Sequence, residues 1–65
     1  MKFDVIAVNM GTHKVRMIGE NKTERDAETI EKMAIARHGV DEEFFVTVPH
    51  GRYKEGDEWD EFENV

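Results

Sequence analysis

A chain of 65 residues without cysteine holds one domain at most, and packing or self-association rather than disulfides or thiolate-bound zinc must stabilise it. Its formal net charge of −6 is unevenly placed, because residues 1–54 hold 9 basic and 9 acidic side chains whereas residues 55–65 hold 6 acids and no base. A neutral body with a local negative field argues against nucleic acid as a partner and suits attraction to a basic protein surface.

The opening MKFDVIAVNM carries an acid at position 4 and lacks a long apolar run or a small-residue cleavage site. The expectation is a soluble cytoplasmic protein with neither signal peptide nor membrane span. FDVIAVN (3–9) and VRMIGEN (15–21) are rich in β-branched and aromatic residues and predict a β-hairpin. The interval from Met10 to His13 has no Asn-Gly or Asp-Gly pair, so a loop longer than two residues is expected.

Thr23 then precedes ERDAETIEKMAIARH, with Asp26 three positions on, the spacing of an N-cap and a short capping box. Glu24, Asp26 and Glu28 suit the positive end of that helix, Lys32, Arg37 and His38 suit its negative end, and Glu28 is placed to pair with Lys32. Gly39 is the expected stop, and a left-handed conformation there would bring Val40 onto Ile35. Ala27, Ile30, Met33 and Ala34 form the expected apolar stripe. EFFVTVP (43–49) reads as a third strand, ended or placed near an edge by Pro49, and the glycines at 51 and 56 mark turns.

The order strand, strand, helix, strand predicts an α+β fold, β-β-α-β. A helix crossing the sheet returns the third strand beside the first, giving a three-stranded antiparallel sheet of order 2-1-3 with one helix on one face. The helix is expected over Phe3, Val5, Ala7, Val15, Met17, Phe44, Val46 and Val48. The opposite face would then expose Ile6, Val8, Ile18 and Phe45, interrupted by Asp4, Arg16 and Thr47. Such a patch predicts a homodimer unless the C-terminal segment covers it.

Chemistry-bearing constellations are missing from the pattern. His13 falls in the hairpin loop, His38 at the helix end and His50 after Pro49, with no HExxH and no adjacent nucleophile. The glycines never cluster as a phosphate-binding loop, and the solvated acids lack the burial and separation that paired-carboxylate catalysis needs. The expectation is a non-enzyme that uses no cofactor, metal or nucleotide. Phe45 on an open sheet face, with Arg16 nearby, keeps a nucleic-acid-binding module as an alternative. A second alternative is an acidic DNA mimic that occupies a host protein.

GDEWDEFENV (56–65) poses a separate question. Trp59 and Phe62 stand three apart among acids, as anchors of a recognition element would. In a chain with one tryptophan, packing of Tyr53 and Trp59 onto the domain is the favoured reading, which sets a domain at 1–59 and an acidic tail at 60–65. From Ala27 to Trp59 the pattern AE, MA, R-GVD, FF, VP-G-YK and GD-W resembles small uncharacterised proteins encoded by bacteriophages and prophages. The resemblance implies a place in the bacterial host cytoplasm and brings no activity or functional residue with it. The residues expected to meet partners are Ile6, Val8, Ile18, Phe45, Trp59 and Phe62, with a second copy or a basic host protein as partner.

Overall fold

The computed structural model describes residues 1–39 and 42–60. Strands β1 (Phe3–Asn9) and β2 (Val15–Lys22), helix α1 (Glu24–His38) and strand β3 (Glu43–Pro49) follow one another along the chain. The sheet has the order β2-β1-β3, and β1 is antiparallel to both neighbours. The fold is therefore α+β, with the predicted antiparallel 2-1-3 arrangement and the helix against the sheet.

Local chemistry explains the joints. In the hairpin loop the Asn9 side chain accepts hydrogen bonds from the Gly11 and Thr12 N–H groups at 2.8 and 2.9 Å, and His13 takes a positive φ of 63° to re-enter the sheet. Thr23 caps α1 by accepting from the Asp26 N–H at 3.2 Å, and Glu28 pairs with Lys32 at 3.0 Å. Gly39 ends the helix by donating its N–H to the Ile35 carbonyl, yet its φ of 72° and ψ of −165° lie outside the left-handed helical basin. That region is open to glycine alone. Val40 lies outside the described residues, and Ile35 is 42% exposed.

Which residues share a face is where the structure departs from expectation. Residues directly opposite in an antiparallel ladder point the same way. Ile6 stands opposite Met17 and Val46, and Val8 opposite Val15 and Phe44. Ile6 and Val8 consequently join Val15, Met17, Phe44, Val46 and Val48, whereas Phe3, Val5 and Ala7 turn to the other face with Phe45 and Thr47. The relative register differs from the expected one by a single residue, and one residue of slip exchanges the two faces of a strand. Helix α1 lies over the second set: Ile30 sits above Gly19, and His38 has its ring 6.2 Å from that of Phe45. The ladder between β1 and β2 is irregular between the pairs Val5–Gly19 and Ile6–Met17, so Ile18 has no direct partner and is half-buried.

The Ile6 face is covered by the C-terminal segment. Tyr53 and Trp59 are buried there at 4% and 8% exposure and form one cluster with Ile6, Val8, Val15 and Val48. Trp59 stacks on Tyr53 at 5.3 Å between centroids and meets Phe44 edge-on at 5.5 Å. Backbone bonds hold the segment along β2: Val15 N–H to the Asp57 carbonyl, Gly56 N–H to the Val15 carbonyl and Trp59 N–H to the His13 carbonyl. The expected open patch of Ile6, Val8 and Phe45 is therefore corrected, since all three are buried inside one chain.

The helix packs tightly at one point and loosely elsewhere. Ala27 is its fully buried residue, while Met33, placed on the expected stripe, is 55% exposed. Met33 precedes Ala34 by one residue and so lies about 100° round the helix from it. Gly19 permits the close approach, because a Cβ there would stand 3.0 Å from Ile30 Cδ1 and 3.7 Å from Val5 Cβ. Alanine at this position is expected to cost little, since the flexible tip of Ile30 can turn aside. Gly19→Val should cost about 1–3 kcal/mol by overpacking. Urea denaturation checks this, and combining Gly19→Val with Ile30→Ala should recover part of the loss.

Candidate interaction surface

The phase of the β1–β3 ladder determines what the outer strand offers. His50 N–H bonds the Lys2 carbonyl at 3.0 Å and Met10 N–H bonds the Glu42 carbonyl at 2.8 Å, so the hydrogen-bonded pairs fall on even positions. Phe44, Val46 and Val48 spend their backbone groups on β1. Glu43, Phe45 and Thr47 turn their N–H and C=O groups to the outer edge, where nothing among the described residues pairs with them. Pro49 occupies the next outward position and has no N–H to offer.

The opposite edge of the sheet is dressed. Val15 bonds residues of the C-terminal segment through both its backbone groups, and Met17 N–H donates to Glu55 Oε1 at 2.9 Å. The bare edge of β3 is thus a local property of one side of the molecule.

A groove of about 380 Å³ runs between that side of the sheet and α1, lined by Phe3, Glu24, Glu28, Glu31, Lys32 and Thr47. Helical spacing places Glu24, Glu28, Glu31, Ile35 and His38 in one stripe on the flank nearer β3. Three carboxylates therefore face one cation, Lys32, which is already paired with Glu28. The Thr47 hydroxyl oxygen is buried with no hydrogen-bond partner among the described residues. At the far end of β3, Glu43 holds Arg16 at 2.9 Å, and that hydrogen bond keeps the guanidinium pKa above its ordinary value.

A second polar cluster lies at the sheet's other end. Asp4 is 1% exposed and accepts from His50 Nδ1 at 2.8 Å, from Asn21 N–H at 2.8 Å and from Gly51 N–H at 3.0 Å. Burial pushes its carboxyl pKa up, and the bonds from His50, Asn21 and Gly51 together hold it below the ordinary carboxylate value. A carboxylate holding an imidazole nitrogen can orient a general base. Here its other oxygen bonds are backbone amides from the end of β2 and the turn after β3, so the cluster acts as a strut joining three chain segments. Tyr53 Oη donates to Asp60 at 2.7 Å, lowering the Asp60 pKa, while Arg52 lies 4.5 Å over the Tyr53 ring. No group of three or more metal-ligating side chains occurs among the described residues.

The residues singled out from sequence are thereby placed. Ile6 and Val8 are core, Phe45 lies under the helix, Ile18 is half-buried and Trp59 belongs to the cluster under the C-terminal segment. Phe62 lies outside the described residues. Sequence reasoning did not find the groove, although acids at 24, 28 and 31 carry the helical spacing that would have marked it. Comparison with protein-family models, with curated proteins and with solved structures returns no match. Among the described residues, no helix is long and apolar enough to cross a membrane.

Proposed function

We propose that this chain is a small non-enzymatic accessory protein that works as a binding module, and that it engages a basic protein through the flank of α1. The observation that carries this reading is the trio Glu24, Glu28 and Glu31 along one groove with a single cation among them. Carboxylates gathered on one face make the local potential more negative, attract a basic surface and repel nucleic-acid phosphates. Phe45, the ring that a nucleic-acid module would use, is buried on the helix side of the sheet, and the opposite face is covered by Tyr53 and Trp59. Self-association loses its support in the same way, because Ile6, Val8 and Phe45 are buried within one chain.

Charge reversal tests the reading. Glu28→Lys combined with Glu31→Lys should leave folding nearly unchanged, since the exposed Glu28–Lys32 pair contributes only about 0.2–0.5 kcal/mol. Binding of a lysine-rich probe peptide should weaken at least about tenfold, and the wild-type affinity should fall as salt is raised. Equal binding by parent and variant at low salt would sink the assignment to this flank.

A further inference from the structure

We propose that the outer edge of β3 receives an added strand from the partner, an extended segment in which basic residues alternate with apolar ones. This deepens the basic-partner reading and rests on it. Strand addition needs a row of backbone groups open to an incoming strand, which Glu43, Phe45 and Thr47, unpaired at the outer edge among the described residues, supply, and side-chain sites on either side of the edge for alternate residues of that strand. On the helix side those sites are the carboxylates of Glu24, Glu28 and Glu31 with the unpartnered Thr47 hydroxyl beneath them. On the opposite side half-buried Val46 offers apolar surface. Lysine or arginine at every second position of the incoming strand meets the first set, and aliphatic residues between them extend the second.

Charge selects this occupant over the two nearer ones. A second copy paired through β3 about a two-fold axis would bring two acidic flanks together on the same side of a continuous sheet. The chain's own C-terminal residues carry Glu61 and Glu63, of the same sign as the groove. Neither supplies the cations that the flank lacks. The contrast between the two sheet edges supports the same conclusion: Glu55 and the segment around Gly56 and Asp57 cover β2, while among the described residues β3 has Glu43 and Pro49 as protection at its ends.

The test uses the full chain and two synthetic peptides of alternating lysine and valine. One has an ordinary backbone, and the other is N-methylated at the alternate amides that would pair with β3. The ordinary peptide should bind, slow hydrogen exchange at the Phe45 and Thr47 amides, and bind at least about tenfold more tightly than the methylated one. Equal affinity of the two peptides would overturn strand addition while leaving the acidic flank as the site. Failure of both peptides to bind would overturn the basic-partner reading as well. Protection of Phe45 and Thr47 that rises with protein concentration in the absence of peptide, together with a doubled mass by light scattering, would assign the edge to a second copy instead.

Discussion

Trp59→Ala is expected to unfold a large part of the population at room temperature. Truncating a buried tryptophan costs about 3–5 kcal/mol, and a single core in a domain of this size rarely supplies more than about 3–5 kcal/mol in total. The indole is 8% exposed, stacked on Tyr53 and met edge-on by Phe44, so its removal also uncovers Tyr53 and opens the face built on Ile6, Val8 and Val15. The backbone bond from Trp59 N–H to the His13 carbonyl survives the substitution, so the loss reports on side-chain packing. Urea denaturation followed by circular dichroism measures it, and Trp59→Phe should recover part of the stability. Native emission of the parent should be blue-shifted and move red on unfolding. Water-like emission from the folded protein would refute the packing account and return Trp59 to the role of an exposed anchor.

What the sequence made legible is local or depends on element order. The Thr23 cap, the Glu28–Lys32 pair and the glycine stop at residue 39 involve residues a few positions apart, so their chemistry is readable along the chain. The 2-1-3 order follows from the sequence of elements and the simplest return of the chain. Face assignment was not readable in the same way. Strand β1 is apolar at 5, 6, 7 and 8, so its own alternation cannot say which side faces the helix, and the register must come from the loops and the ladder. The four-residue loop closed by Asn9 and the irregular pairing around Ile18 set that register, and neither leaves a simple sequence signature.

Long-range polar pairing was equally hidden. The residues that bond Asp4 stand 17, 46 and 47 positions away, and a lone acid in a strand reads as an interruption of an open face. The C-terminal segment gave one usable signal, the presence of Tyr53 and Trp59 in a chain with little else to fill a core. Its hydrogen bonds to β2 and to the loop before it come from Glu55, Gly56, Asp57 and Trp59, which show no strand-like alternation. The groove and bare edge became visible only when the ladder phase fixed which backbone groups of β3 point outward.

Asp4→Asn should destabilise the fold by about 2–4 kcal/mol, nearly as much as the loss of the indole, through a different mechanism. The substitution keeps the shape but replaces one acceptor oxygen by an amide donor in a site surrounded by donors: Asn21 N–H, Gly51 N–H and the His50 ring. A buried donor left facing another donor costs about 1–3 kcal/mol, and loss of the charge weakens the remaining bonds, each worth about 1.5–3 kcal/mol to an ionised acceptor. The same carboxylate gives wild-type stability a pH dependence of definite sign. Its folded pKa lies below the ordinary value of 3.8, because the three bonds outweigh the burial that opposes them. The unfolded chain therefore binds this proton more readily, and the stabilisation is complete above the unfolded pKa and lost as pH falls through the folded one. Urea midpoints measured from neutral pH down through the acid range should show the Asp4→Asn penalty shrinking below about pH 4, as the parent loses the advantage that the variant never had. A penalty that stayed constant across that range would mean that the carboxylate's charge contributes nothing, leaving shape and hydrogen-bond count as the whole of its role.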